Sequence, residues 1–453
     1  MRLTTGVSTA YGLGSFIRVG ENLIGFYLLF YLTTEVGLPA GTAGLISGAS
    51  VLLGALLSPV IGVVSDRSRS RWGRRRPFLL IAGVPTMVLL ALLFTKVDFG
   101  GATSTYYFVV AAAYIIAYYC FLVPYDALGA VLTEDAGRRA TIRAICTAAL
   151  YLSVLVGGFL VLQLQTLFAP TYGTATAWTF AVVLSCSLPG VVFALLAWRA
   201  TRGYESQGAV LDESSVSFKS VGRVLRMRPV IVILVWALIY FFANAVLAGT
   251  IVYAAVYVLG LDEGTASTLF LISALATFVS VAPAAFLARR IGKRATLVYA
   301  IIFFVIVAGI VLLVGFDGYA QAAVLAGAFG VTNSIALVCS YAMVYDLREV
   351  TELRFGQDLT ALLVGLFTLL IGVTSSFAPV VIGALLEAAA FDPMSAASPV
   401  VASVLVAFQT WVPAGLLLLS VVPLAFWNVN ERRHAAIVEE LRTAQVEVGH
   451  ASP

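Results

Sequence analysis

The chain has 453 residues, of which 61% are hydrophobic and only 11% charged, with a mean hydropathy of +1.00 and a net charge of +4. Soluble domains carry about 25% charged residues, so a chain this apolar cannot cover its surface against water and must take lipid as its main solvent. The first apolar run, about 8–33, contains Arg18, Glu21 and Asn22 and lacks a small-residue cleavage site. It reads as a spanning helix and not as a signal peptide. Eleven further runs follow at about 41–65, 77–96, 104–132, 141–168, 176–199, 230–258, 265–288, 295–316, 319–345, 358–387 and 401–427. Each reaches the roughly 20 apolar residues that a membrane crossing requires. Being apolar all round, they exclude a transmembrane β-barrel, whose strands alternate over about ten residues.

The charges between the runs fix their orientation. Six arginines lie in the segment Ser65-Asp66-Arg67-Ser68-Arg69-Ser70-Arg71-Trp72-Gly73-Arg74-Arg75-Arg76-Pro77, between the second and third runs. The even-numbered connections also hold Arg138 and Arg139, Arg199 to Arg228, Arg289, Arg290, Lys293 and Arg294, then Arg348 and Arg354. The odd-numbered ones hold Lys96 with Glu35, Asp98, Asp262, Glu263, Asp317 and Asp392. By the positive-inside rule this places both termini in the cytoplasm of a multi-pass cell-membrane protein. The same loops account for the basic pI, so nucleic acid is not implied.

The longest internal polar stretch separates two halves of six runs each: 1–200 and 230–427, with a linker at 201–229 and a tail at 428–453. The linker turns basic and amphipathic at Phe218, Lys219, Val221, Arg223, Leu225, Arg226 and Met227, which suits contact with anionic headgroups. A weak repeat places Gly among basic residues at matching points of each half, in Gly73-Arg74-Arg75 and in Arg289-Arg290-Ile291-Gly292-Lys293-Arg294. A 6+6 chain with such a repeat follows the pattern of major facilitator transporters, with a solute site at the midplane. The expected fold is all-α, with twelve transmembrane helices in two six-helix halves.

Several motifs narrow this further. Pro59-x-x-Gly62 to Ser65-Asp66-Arg67, continued by Ser70-Arg71-Trp72-Gly73-Arg74-Arg75-Arg76-Pro77-Phe78, resembles the glycoside–pentoside–hexuronide:cation symporters. Its Arg-Trp-Gly-Arg-Arg-Arg-Pro core is similar to that of sucrose transporters. Pro124-Tyr125-Asp126-Ala127-Leu128 with Arg138 to Arg143 resembles the same family, as do Tyr341-Ala342-Met343-Val344-Tyr345-Asp346 and Tyr11-Gly12-Leu13-Gly14. The resemblance implies alternating access, with Asp66, Arg67, Arg71, Gly73, Arg74, Arg139, Arg143 and Asp346 at a cytoplasmic gate. Asp346 is also expected to cluster with Arg348, Glu349 and Arg354. The family's sodium-binding carboxylates on the second helix fall on Gly54 and Ser58, and its sugar-binding acids on Val19 and Leu122. H⁺ is therefore expected as the coupling ion ahead of Na⁺, with no other cofactor and no metal.

Intramembrane charge marks the candidate site, because an acid or arginine at mid-helix costs about 2.5–3.5 kcal/mol on insertion scales. Arg18 and Glu21 share a face of the first helix, beside Asn22, and Asp126 lies on the fourth. Arg18 and Glu21 either neutralise each other or take part in the site. Asp126 is either a cytoplasmic-end cap or gate partner, or the proton carrier. The two histidines, His434 and His450, lie in the tail, so Asp126 or Glu21 must carry any coupled proton, with Asp346 a distant third. Tyr114, Tyr118, Leu122 and Tyr125 form one aromatic stripe; Trp236, Tyr240 and Asn244 form another, with Asn333 a single polar position. These suit stacking on a sugar ring, or helix packing. Arg18, Asn22, Tyr118, Tyr125, Trp236, Tyr240, Asn244 and Asn333 are the expected solute contacts.

The sequence offers no nucleophile with a base, no metal-ligand spacing and no phosphate-cradling loop, so an enzyme is not expected. It reads as a proton-coupled symporter of a glycoside or other small polar solute. The alternative is a proton-driven exporter or carrier of an amphipathic molecule, such as a secondary metabolite or a lipid-like compound. The expected partners are that solute and the bilayer, with the protein acting as a monomer.

Overall fold

A computed structural model describes residues 5–68, 70, 72–133, 135–204, 218–355, 357, 359–395, 397–429, 433, 436, 437, 439 and 440. The linker stretch 205–217, Arg71 and the tail histidines lie outside the described residues, as do the side chains of Asp66 and Arg139. Among the described residues every regular element is a helix.

Twelve helices are long and apolar enough to cross a membrane. The first six are α1 (Thr5–Thr34), α2 (Ala40–Ser65), α3 (Arg76–Leu93), α4 (Gly100–Gly129), α5 (Thr141–Tyr172) and α6 (Thr174–Ala200). The second six are α7 (Arg228–Val258), α8 (Glu263–Ile291), α9 (Lys293–Val314), α10 (Tyr319–Phe355), α11 (Leu362–Ala388) and α12 (Pro399–Ala425). Every expected run is found. The clear departure is α10, which continues to Phe355 as one 37-residue helix instead of ending near residue 345. Leu347 and Thr351 stay buried along this extension, so an amphipathic stripe carries the helix on past the apolar run. The residues Arg348, Glu349, Glu352 and Arg354 are therefore helical and not loop.

Helix α1 is not uniform. A 3₁₀ turn at Gly14–Arg18 and a π-bulge at Ile24–Leu28 bracket the charged stretch Val19–Leu23. Such irregular turns recur at functional sites because they re-aim side chains out of the helical register. Pro59, Pro85, Pro124, Pro283 and Pro379 lie inside α2, α3, α4, α8 and α11, where proline bends a helix by removing a backbone donor.

The contacts divide the chain into two compact units. Unit 1 holds residues 1–210, 248–271 and 375–406. Unit 2 holds residues 211–247, 272–374 and 407–453. The division does not follow the sequence midpoint, because parts of α7, α8, α11 and α12 pack with the first six helices. Within unit 1, Thr33 of α1 shares a hydrogen bond with Tyr253 of α7 at 2.6 Å. Gln163 of α5 donates to the Gly264 carbonyl and Ser267 hydroxyl of α8 at 2.9 and 3.1 Å, so this glutamine joins helices there. Gly44 and Gly48 of α2 meet Pro379 and Ser376 of α11 so closely that a Cβ at either would overlap a backbone carbonyl oxygen. Gly383 of α11 approaches the Ala40 carbonyl in the same way. At the end of this seam the Gly41 amide donates to Glu387 Oε2 at 2.7 Å. Unit 2 is built around buried Trp236, Tyr240, Phe304, Met343, Phe367 and Leu417.

Candidate functional site

The charged residues of α1 find their partners on other helices. Arg18 Nη2 donates to both oxygens of Asp126 on α4, at 3.0 and 2.8 Å. Glu21 accepts from the Tyr118 hydroxyl of α4 at 2.5 Å. Asn22 Nδ2 donates to Ser153 of α5 at 3.1 Å. Arg18 makes its direct ion pair with Asp126 and feels Glu21 only at longer range, and Asp126 pairs with an arginine of α1 and not with a loop residue. The helical offset explains this: Glu21 is turned toward the Tyr118 level of α4 while Arg18 reaches the level of Asp126, two turns further along.

The side chains of Arg18 and Asp126 are 24% and 54% exposed. A charged pair this open on helices that cross a membrane is costly against hydrocarbon, which favours polar surroundings for it. The aromatic stripe of α4 is divided by role. Tyr114 and Tyr118 are fully buried and stacked, with ring centroids 5.9 Å apart. Tyr125 stacks on Tyr11 at 4.5 Å, and its hydroxyl donates to the Tyr11 carbonyl while the Tyr11 hydroxyl donates to the Tyr125 carbonyl, each at 2.5 Å. With Ser15 also 3.0 Å from that hydroxyl, Tyr125 is placed as the clamp between α1 and α4, with no surface left for a solute.

Unit 2 carries a second polar group. Asn244 Nδ2 of α7 donates to Asn333 Oδ1 of α10 at 3.0 Å, and the Tyr240 hydroxyl is hydrogen-bonded to Asn244. Tyr240 stacks on Trp236 at 5.0 Å. Trp236 is fully buried in the core of unit 2, so of the α7 stripe the amide end is partly accessible and the indole end is packing. An amide pair on facing helices is an uncharged hydrogen-bonding set of the kind that suits hydroxyls.

The positions where related symporters carry acids are filled in. Val19 is fully buried and Leu122 is 7% exposed. Gly54 fits so tightly against Tyr119 and Ile115 of α4 that a Cβ would collide with both. Among the described residues no group of three His, Cys, Asp or Glu side chains is arranged to hold a metal ion.

The loop between α2 and α3 was expected to serve a gate. Arg67 and Arg143 are exposed helix residues, and Gly73 takes a φ of +106°, a backbone conformation that favours glycine. Arg74 lies beside it in the turn entering α3. Arg75 donates to the Ala127 carbonyl of α4 at 3.1 Å. Arg76 is 6% exposed and donates to the Trp72 and Trp198 carbonyls at 3.0 and 2.9 Å and to Thr201 Oγ1 at 3.3 Å. Sequence reasoning missed this role, since one arginine in a run of three gives no sign that it is buried. In unit 2, Asp346 accepts from Lys293 Nζ through both oxygens at 2.6 and 2.5 Å, tying α10 to α9. The expected Asp346 cluster omitted that lysine, because the continued α10 helix turns Asp346 toward α9.

Fold and site together define a multi-pass membrane transporter. The description "MFS/sugar transport protein" matches residues 10–431, and the chain belongs to that family. It is a transporter and not an enzyme. It is 25% identical over 418 residues to an uncharacterized symporter, YnaJ, of Bacillus subtilis (strain 168), covering 92% of this chain and 89% of that protein. A glucuronide carrier protein homolog of Escherichia coli (strain K12) is 26% identical over 273 residues, covering 60% of this chain and 58% of its own length. The isoprimeverose transporter of Lactiplantibacillus pentosus is 23% identical over 291 residues, covering 64% and 60%. The fold is shared with a bacterial homolog of the human lysosomal transporter Spinster, at a TM-score of 0.65 and 14% identity, covering 95% of this chain and 97% of that one. The nucleoside transporter NupG aligns at a TM-score of 0.65 and 12% identity, covering 91% and 98%.

Proposed function

We propose that the chain is a secondary active transporter of the cell membrane that works by alternating access and carries a small glycoside-class solute in symport with protons. The single observation that carries this reading is the part-exposed Arg18–Asp126 pair, with Glu21 and Tyr118 beside it. A proton reaching Asp126 cancels its charge and releases Arg18, whose guanidinium can then donate to solute hydroxyls. Solute binding and proton binding thereby favour each other, which is what symport requires. Asn22 and the Asn244–Asn333 pair are uncharged groups of the chemistry that sugar hydroxyls use. The names of the glucuronide carrier homolog and the isoprimeverose transporter support the solute class. Gly54 in place of a carboxylate weighs against Na⁺, which needs oxygen ligands. The basic loops support a cytoplasmic location for both termini.

A second reading, proton-driven movement of an amphipathic compound, draws on Val19 and Leu122, which put apolar surface where related sugar carriers have acids. One experiment separates the two. Uptake of a panel of labelled glycosides, pentosides and disaccharides into proteoliposomes is measured under an imposed inward proton gradient, then under a sodium gradient. Proton-driven accumulation of a sugar supports the proposal. Sodium-driven accumulation overturns the coupling ion, and silence across the panel in vesicles that exchange an amphipathic probe overturns the solute class.

A further inference from the structure

Unit 2 has a cavity of about 620 Å³ where α7 begins, α10 ends and the chain leaves α12. Three arginines from these three segments line it: Arg228, Arg354 and Arg433. Its one acid among the lining residues is Glu440, so three positive charges face one negative. The walls between them are apolar, with Met227, Leu353, Val429 and Ile437 among them.

Position matters as much as charge. Arg228 is the first residue of α7 and Arg354 lies one residue from the end of α10, on its amphipathic extension, so the arginines sit at the basic helix ends, on the headgroup side of the apolar runs. Their guanidiniums lie over Phe426 and Phe355, at 5.7 and 5.8 Å from the ring centroids. Phe426 is itself 53% exposed and Leu353 39%. Charge above and open apolar surface beside it is the arrangement that accepts a lipid headgroup and the start of its acyl chains. One further group lines the cavity: Asn428, whose buried Oδ1 receives no hydrogen bond among the described residues. An unsatisfied buried acceptor calls for a donor, which a headgroup hydroxyl can supply.

We propose that this cavity is a binding site for an anionic phospholipid bearing a hydroxylated headgroup, of the phosphatidylglycerol type. The phosphodiester takes donors from the arginines, a glycerol hydroxyl donates to Asn428, and the acyl chains lie along the apolar wall. A free phosphate or sugar phosphate shares the phosphate chemistry but makes no use of the apolar wall.

The test uses the full-length protein in nanodiscs containing phosphatidylglycerol within phosphatidylcholine, with lipid retention read by native mass spectrometry. The triple variant R228Q/R354Q/R433Q is expected to retain phosphatidylglycerol roughly tenfold less than the parent. The triple lysine variant, which keeps the charge, is expected to retain most of it and stands in should the glutamine variant not fold. An equal loss in R202Q/R289Q/R290Q, which removes the same charge elsewhere, would show a diffuse basic rim and overturn the site. Displacement of the lipid by inorganic phosphate would reassign the cavity to a soluble anion. Asn428→Leu is expected to remove any preference for phosphatidylglycerol over phosphatidylmethanol, which lacks the hydroxyls. A parent with no such preference overturns the hydroxyl assignment.

Discussion

Asp126 and Glu21 are two carboxylates with different partners, and the difference sets their expected behaviour. Asp126 faces a cation, so its protonation changes the charge of a pair; Glu21 accepts from a neutral phenol. Asp126→Asn keeps the shape of the side chain and is expected to abolish proton-driven accumulation, by roughly tenfold or more, while counterflow exchange persists. Because the pair is part-exposed, its removal should change thermal stability by no more than about 1 kcal/mol. Full accumulation in Asp126→Asn, with loss in Glu21→Gln, would move the coupling role to Glu21. Arg76 is the opposite kind of residue, buried and satisfied three times over. Arg76→Ala removes a buried guanidinium and its bonds to the Trp72 and Trp198 carbonyls, leaving Trp198 only the bond from Thr201 Oγ1, and is expected to cost about 1–3 kcal/mol in a thermal or denaturant melt. Arg76→Lys should recover only part, since one ammonium cannot span the same acceptors. Glu35 lies outside the membrane-spanning segments, and burial raises its pKa, opposed by a hydrogen bond from Thr174 and by Lys96. A carboxyl raised in the folded state holds its proton more tightly there than in the unfolded chain. Its contribution is therefore present in acid and is lost as pH rises through the raised value. The melting temperature of Glu35→Gln should fall less than that of the parent between mildly acid and neutral pH; an identical slope would remove Glu35 as the cause.

The α2–α11 seam shows how an element acquires a role through its smallest residues. Gly41, Gly44 and Gly48 lie at intervals of three and four, hence on one face of α2, and this face lets two backbones touch. No side chain of α2's own N-cap residue, Pro39, closes its first turn. Glu387 of α11 supplies the acceptor, and a carboxylate at a helix N-terminus also meets the positive end of the helix dipole. Gly44→Val forces a Cβ into the Pro379 carbonyl and is expected to cost about 1–3 kcal/mol or to part the helices. Glu387→Gln keeps an acceptor but loses the charge, at about 0.5–1 kcal/mol. Hydrogen exchange at the first turn of α2 reads both: faster exchange at Gly41 in either variant is the expected outcome, and unchanged protection would mean that the seam does not depend on these contacts.

At the scale of the whole molecule, what the sequence reveals is what lipid dictates. Apolar length and arginine bias are properties of each segment alone, so all twelve crossings could be read without knowing how they pack. Partners could not. Arg18 and Asp126 are 108 residues apart and Gly41 and Glu387 are 346 apart; residue type marks them as important, but only helix packing decides who meets whom. The same limit explains α10, whose last ten residues read as loop because charge was weighed without the buried face of Leu347 and Thr351. Charge bias therefore makes one prediction that packing does not touch. Single cysteines at Lys96 and Asp317, on the acidic connections, should react with an impermeant thiol reagent added to intact cells. Cysteines at Arg202 and Arg290, on the basic connections, should react only after permeabilisation. The inverse pattern would reverse the protein in the membrane, placing the Arg18–Asp126 pair on the opposite route of solute entry. Labelling of both sets in intact cells would mean that the arginines do not set a single orientation, and the positive-inside argument would fail for this chain.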